Sequence, residues 1–275
     1  MRTATAPVRA SAFWRGLQDV PADWPACVVT VGVFDGVHRG HARLIGRARR
    51  LGRARQMPVV LVTFDPHPAQ VLGLPRDTAA LSTLERRADL AAQLGVDAVC
   101  VLPFTESLAQ VSAEDFVEHI LVQTLHACAV VVGANFTFGR AGAGDVATLH
   151  GLGQRYGYDT HAVGLLHADD APYSSSHIRT CLRRGDVAAA GQALGRPHRV
   201  DGTLGATGDV TVPAGTALPA AGHYAGRVNG RLALLKVTAG GQLVMQSLRA
   251  GPGDRGALAV VEFLGHADAG LAGQP

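Results

Sequence analysis

The sequence predicts an α/β fold in two parts, a parallel sheet with crossover helices followed by a small antiparallel β domain. Three observations carry this. Short β-branched apolar runs alternate with helix-patterned segments every ~25–35 residues as far as about Arg196, the pattern of parallel strands joined by helices. Beyond that point the chain turns Gly-rich, with short alternating stretches separated by turn dipeptides. Its 275 residues, 47% of them hydrophobic, supply apolar surface for one large core or two modest ones.

Taken in order, residues 27–34 (Cys-Val-Val-Thr-Val-Gly-Val-Phe) form a β-branched run that reads as a buried strand, broken by Gly36 to Gly40. Apolar residues at helical spacing predict a helix over 41–54. A strand at 58–64, a helix at 83–94, a strand at 97–102, a helix at 112–126 and a strand at 128–133 follow. Residues 145–156 read as helical, 158–165 as extended, and 174–184 and 186–194 as helical. In the Gly-rich part, 222–228, 232–237 and 257–264 read as strands, punctuated by Asn229-Gly230, Gly240-Gly241 and Gly251-Pro252-Gly253. The change of texture near 185–200 divides the chain into domains 1–190 and 191–275.

Composition excludes several classes. With 17% charged residues against roughly 25% in an average soluble domain, and 47% hydrophobic, the chain is not disordered. Lys236 is the only lysine, which removes a Gly-Lys-Ser/Thr phosphate loop and any earlier lysine Schiff base. A net charge of +3 with no dense basic run argues against a nucleic-acid partner and suits an anionic small molecule. No apolar stretch reaches the ~18 residues of a membrane span, and Met1–Pro7 has no apolar segment behind it, so no membrane partner and no signal peptide are expected. Cys27, Cys100 and Cys128 lie in apolar runs and are expected to be buried, inert thiols; with Cys181 they form no CxxC pair. A cytoplasmic, reduced protein is expected.

The densest chemical signal is Gly32-Val33-Phe34-Asp35-Gly36-Val37-His38-Arg39-Gly40-His41. A strand enters a Gly-punctuated turn that opens a helix, and a helix N-terminus presents unpaired N–H groups to an anion. His38 and His41 add donors for phosphate oxygens, and Gly40 permits close backbone approach. Two His three residues apart also suit zinc, but no further ligand stands at the usual spacing, so no metal site is assigned. A second cluster is Tyr173-Ser174-Ser175-Ser176-His177-Ile178-Arg179: the hydroxyls suit an N-cap, and Arg179, one turn in, is a fork donor for phosphate.

His38-x-Gly40-His41 after a strand, with Ser175-Ser176-x-x-Arg179 later, resembles the HxGH nucleotidyltransferases, and within them the prokaryotic FAD synthetase family, the bifunctional riboflavin kinase/FMN adenylyltransferases. Supporting segments are Trp14–Pro21, Phe64-Asp65-Pro66-His67-Pro68, Leu102–Thr105, Gly133-Ala134-Asn135-Phe136-Thr137-Phe138-Gly139 and Leu194–Pro197. The resemblance implies a Rossmann-like first domain in which His38 and His41 contact the ATP phosphates and Arg179, Ser175 and Ser176 complete the clamp. It also implies that Gly32, Phe34, Asp35 and Gly40 belong to the nucleotide site, and that Asn135 with the Asp65–Pro68 loop, including His67, lines the nucleotide–flavin cleft. The implied reaction transfers AMP from ATP to FMN, with Mg²⁺ carried on the ATP phosphates and Asp35 either bonding to the waters around it or serving as a turn residue before Gly36. Ser176 stands where the family usually has Thr, and His177 and Thr137 where it commonly has Arg. A related nucleotidyltransferase, with an AMP or CMP donor and a different phosphate, phosphonate or modified-flavin acceptor, is the alternative.

The second domain resembles the riboflavin kinase barrel in fragments: Gly195–Gly202, Leu218–Val228 and Val260–Leu264. The Gly-Phe-Pro-Thr-Ala-Asn signature, whose Thr and Asn hold ATP and metal in that module, is missing between Gly202 and Leu218. The strand with the kinase's glutamate is not found; Leu243-Val244-Met245-Gln246 stand near its place. A truncated barrel kept for packing or assembly, without kinase activity, is expected.

Overall fold

The computed structural model describes residues 11–168, 171–205, 207–246 and 256–267. They form two compact units: the described residues of Met1–Arg76 with Leu84–Leu166, and those of Asp77–Thr83 with His167–Pro275. The expected turn at Gly251-Pro252-Gly253 and the N-terminal segment read for a signal lie outside the described residues. Among the described residues no helix is long and apolar enough to cross a membrane.

The first unit contains β1 (Ala12–Arg15), β2 (Cys27–Val31), α1 (Arg39–Arg55), β3 (Val59–Asp65), α2 (Pro68–Val71), α3 (Leu84–Gln93), β4 (Ala98–Pro103), α4 (Glu106–Ala109), α5 (Ala113–Asp115), β5 (Ala127–Gly133), α6 (Val146–Tyr156) and β6 (Asp159–Val163). The six strands make one parallel sheet in the order β1-β4-β3-β2-β5-β6. Successive residues of a strand point to opposite faces, and both faces are covered. Val29, Val31, Val60, Val62, Val130 and Val132 pack into one core with Phe116, Ile120 and Leu149. Val28, Val59, Leu61, Ala129 and Val131 pack into the other with Ile45 and Ala48 of α1 and Leu90 of α3. Burial on both faces is why these strands read as continuous apolar runs.

Three expectations need correction here. The first strand ends at Val31 rather than 34, because Phe34 takes a left-handed backbone, φ 52°, that no strand tolerates. The expected helix at 112–126 begins as α5 but widens into a π-helix over Phe116–Thr124, which still buries Phe116, Val117, Ile120 and Leu121. Cys27 and Cys100 are buried as expected, whereas Cys128 is partly exposed, at the start of β5 where its register with β2 shifts. The edge strand β1 carried too short an apolar run to be read.

The second unit contains β7 (His167–Ala168), β8 (Ala171–Pro172), α7 (Ser175–Arg183), α8 (Val187–Leu194), β9 (His198–Leu204), β10 (Asp209–Thr211), β11 (Gly222–Val228), β12 (Arg231–Val237), β13 (Leu243–Met245) and β14 (Leu258–His266). Six of its strands close a barrel in the order β10-β13-β12-β11-β14-β9, each pair antiparallel. Asn229-Gly230 is the two-residue turn between β11 and β12, both residues at positive φ (51° and 80°), as the dipeptide predicts. Gly226 is required by crowding: a Cβ there would lie 2.3 Å from Leu235 Cδ1 and 2.5 Å from the Glu262 carbonyl oxygen.

The small antiparallel β domain closes as a barrel. The stretch after Gly202 forms the three-residue β10, and Leu243–Met245 forms β13, with Leu243 and Met245 buried; these two short strands complete the ring. Compactness divides the chain after Leu166, where the sequence reading placed the division at 190/191. The reason is burial: Ile178, Leu182, Val187, Ala190 and Leu194 of α7 and α8 share a core with Val200, Tyr224 and Phe263 of the barrel.

Candidate active site

Parallel α/β sheets bind ligands beyond the carboxyl ends of their strands, where the strand order reverses. From β2 the chain builds outward through β3 and β4 on one side and through β5 and β6 on the other, so that reversal falls between β2 and β5. The loop carrying His38 and His41 follows β2, and the turn carrying Asn135 follows β5.

The loop after β2 is conformationally forced. Phe34 (φ 52°), Gly36 (φ 76°) and Val37 (φ 39°) all take left-handed backbones, which costs about 1–3 kcal/mol for each non-glycine residue. A β-branched valine there is a genuine outlier. The strain is held by burial: Phe34, Asp35, Val37 and His38 are all 5% exposed or less. A Cβ on Gly32 would sit 3.2 Å from the Phe34 ring, so Gly32 gives that ring its room.

The loop delivers His38 as the N-cap of α1. Its Nδ1 accepts the His41 backbone N–H at 3.4 Å, which assigns the proton of the neutral ring to Nε2 and makes Nε2 a donor. The His38 and His41 rings stack at 3.6 Å, and His41 packs against Phe34 at 4.9 Å. Two imidazoles therefore stand with Gly40 at the positive end of a 17-residue helix whose first turn has no acidic residue, an arrangement suited to an anion.

Sequence reasoning missed the residue that anchors this loop. Arg87 on α3 is 7% exposed; its Nη1 donates to Thr63 Oγ1 (3.0 Å) and to the Phe64 carbonyl oxygen (3.5 Å), and its Nη2 pairs with Asp35 Oδ1 at 3.5 Å. Thr63 Oγ1 donates in turn to the Val33 carbonyl oxygen at 2.7 Å. One guanidinium thus ties the end of β3 to the loop after β2. The signal was present in the sequence: Leu84, Arg87, Leu90 and Ala91 recur at helical spacing, which puts an arginine on the buried face of α3. Asp35, expected in the nucleotide site, is 2% exposed and supplies the carboxylate of this pair.

At the neighbouring strand ends, Asp65 is exposed, and His67 caps α2 by accepting the Ala69 N–H on Nδ1 at 3.1 Å. Asn135 is exposed on the turn closed by the Phe136 N–H and the Gly133 carbonyl (3.0 Å); Phe136 stacks on Phe138 at 5.4 Å, and Thr137 is exposed. The remaining expected residues lie together on α7 in the second unit. Ser174 is the N-cap, accepting the His177 N–H at 3.1 Å, and Ser175 and Ser176 are the first helical residues. Arg179 is 3% exposed, and its Nε donates to the Ala79 carbonyl oxygen at 2.7 Å. Among the described residues no group of three or more His, Cys, Asp or Glu could hold a metal ion.

A doubly covered parallel sheet, with His38 capping the first helix at its switch point and His41 in that helix's first turn, defines a doubly wound, Rossmann-like α/β protein. Residues 20–177 match the family model for FAD synthetase, and the chain belongs to that family. It is 36% identical over 190 residues to a bifunctional riboflavin kinase/FMN adenylyltransferase of Pseudomonas fluorescens, covering 69% of this chain and 61% of that protein. It is 35% identical over 179 residues to the protein so named in Bacillus subtilis, covering 64% and 56%. The match thus spans about three-fifths of the length of these curated relatives. The crystal structure of a macrolide-efflux protein from Streptococcus pneumoniae matches with a TM-score of 0.80 over 94% of this chain and 91% of that one; at 22% identity the likeness is one of fold alone.

Proposed function

We propose that this protein is an FMN adenylyltransferase that makes FAD and pyrophosphate from Mg²⁺-ATP and FMN and does not phosphorylate riboflavin. The observation that carries the reading is the strained loop that sets His38 and His41 at the start of α1, beside the sheet's switch point. The names of the relatives support adenylyl transfer to FMN.

In this reading an oxygen of the FMN phosphate attacks the α-phosphorus of ATP in line. The new P–O bond forms as the bond to the bridging α–β oxygen breaks, and its electron pair leaves with pyrophosphate. No covalent enzyme intermediate is needed, so rate comes from positioning and from donors aimed at developing charge. His38 Nε2, His41, the α1 N-terminus with Gly40, and Arg179 with Ser175 and Ser176 supply those donors. Gly32, Phe34 and Asp35 hold the loop in shape, and Asn135, Asp65 and His67 line the nucleotide–flavin cleft. Mg²⁺ enters as part of the substrate; it keeps several waters and needs no carboxylate cage, which fits a donor set in which Asp35 is paired with Arg87. The functional division at 190/191 belongs to the same reading, with α7 serving the nucleotide although it packs in the barrel's core.

Absence of kinase activity rests on residues 203–217, which carry no Thr–Asn pair, and on β13, which carries no glutamate. Phosphoryl transfer requires the terminal phosphate and its metal to be held and the attacking hydroxyl to be oriented. A different acceptor is favoured by one observation: Thr137 and His177 stand where the family's arginine forks are common, and arginine is not replaceable at a bidentate phosphate site. A matrix of ATP, CTP and GTP against FMN and other phosphorylated acceptors, followed by pyrophosphate release, separates the two. The expected product is FAD from ATP and FMN; pyrophosphate only with another acceptor moves the protein to the second reading.

A further inference from the structure

A run of hydrogen bonds leads from the barrel to Arg179. Residues 77–83 lie in sequence between α2 and α3 but belong to the second unit. There Ala80 donates its N–H to the Gly215 carbonyl oxygen (2.7 Å), and its own carbonyl accepts the Ala217 N–H (2.9 Å). The Ala217 carbonyl oxygen accepts from Nε2 of the fully buried His198 at 2.8 Å, and His198 is the first residue of barrel strand β9. One residue before Ala80, the Ala79 carbonyl accepts Arg179 Nε at 2.7 Å. Asp77 pairs with Arg183, one turn further along α7, and Leu81 is 4% exposed in the barrel's core. Fixing Nε of a planar guanidinium fixes the plane in which both Nη groups lie, and so the direction in which a fork donor points.

We propose that the barrel acts in nucleotidyl transfer: through His198 and the 215–217 loop it holds the strap 77–83, whose Ala79 carbonyl sets the orientation of Arg179. His198, Ala217, Ala80 and Ala79 are positioning residues in this scheme. A barrel without kinase residues then has a reason to close, beyond packing. The inference rests on the assignment of Arg179 to the nucleotide.

The test inserts two glycines between Ala214 and Gly215 in the full chain. Both residues are exposed, and insertions at exposed loop tips are tolerated. FAD formation is measured against Mg²⁺-ATP for the insertion, for Arg179→Ala and for the two combined, with thermal melts as the control for folding. Misplacement by ~1 Å costs up to ~10²-fold, and a slackened strap should lower kcat/KM for ATP by about tenfold. In the Arg179→Ala background the insertion should cost nothing further, because the strap acts through that side chain. An insertion that leaves kcat/KM intact, or costs the same factor without Arg179, overturns the proposal. Full activity of Arg179→Ala would instead remove Arg179 from the nucleotide site, and the proposal with it. If the insertion prevents folding, Thr216→Gly, which loses the Thr216 Oγ1 bond to the Pro213 carbonyl (2.7 Å), takes its place under the same criteria.

Discussion

Replacing Arg87 by Met should damage both stability and turnover, and the structure sets the scale. Met keeps much of the length and apolar bulk of the arginine stem, so the perturbation is the loss of charge and donors rather than a cavity. Removing one partner of a buried ion pair costs about 3–5 kcal/mol, because the other charge is left in low dielectric. The Asp35–Arg87 separation of 3.5 Å is long for a charge-assisted bond, which places this pair at the lower end, about 3 kcal/mol. Loss of the donor to Thr63 adds about 1 kcal/mol. Urea unfolding should therefore show a loss of about 3–4 kcal/mol. Adding Asp35→Asn to Arg87→Met removes the buried carboxylate that loses this partner and should restore part of the stability. Turnover should stay low in the double variant, because the guanidinium that joins Asp35 of the loop after β2 to the end of β3 is still missing. The assay is FAD formation alongside equilibrium unfolding for both variants. Unchanged unfolding of Arg87→Met would show that the Asp35–Arg87 pair does not stabilise the loop, and full activity of the double variant would show that turnover does not need it.

Four further outcomes follow from the same geometry. His41→Ala should reduce turnover by on the order of 10²–10³, the scale for deleting one preorganised donor, with the melting temperature near wild type because His41 is only partly buried; unchanged turnover would take the histidine out of the mechanism. Burial pushes the Cys27 and Cys100 thiols up to about 12, so native protein at pH 8 should leave both unalkylated by iodoacetamide and denatured protein should not; mass mapping of labelled peptides decides. Asp145 caps α6, and the backbone N–H and the hydroxyl of Thr148 hold its carboxyl below the usual carboxylate range. A depressed folded pKa stabilises above the unfolded value near 3.9 and is lost as pH falls through the folded value; the stability gap to Asp145→Ala should be full at pH 7 and close below about pH 4, and a pH-independent gap would deny the carboxylate its part. Riboflavin incubated with Mg²⁺-ATP should give no FMN by chromatography, and clear FMN formation would show that the barrel retains a kinase site.

The sheet was legible because both its faces are buried, so each strand from Cys27 to Gly133 announces itself as an apolar run. The loop from Gly32 to His41 was legible because glycine punctuation and paired histidines are local in sequence. Arg87 escaped because its partners, Asp35, Thr63 and Phe64, lie 52, 24 and 23 residues away and meet it only through the fold. The strap at 77–83 escaped for a related reason: its pairing with 215 and 217 is made by backbone groups, which carry no side-chain signature. Closure of the barrel was hidden by the brevity of β10 and β13, three residues each, too short for an alternating pattern to register.

The most direct measurement follows one reaction, purified protein with FMN and α-phosphate-labelled ATP in the presence of Mg²⁺. Adenylyl transfer to FMN puts label in FAD and releases one pyrophosphate per FAD formed, and protein carrying His41→Ala should form either product at no more than about a hundredth of the rate. Absence of labelled FAD while the same protein releases pyrophosphate with another phosphorylated acceptor would contradict adenylyl transfer to FMN.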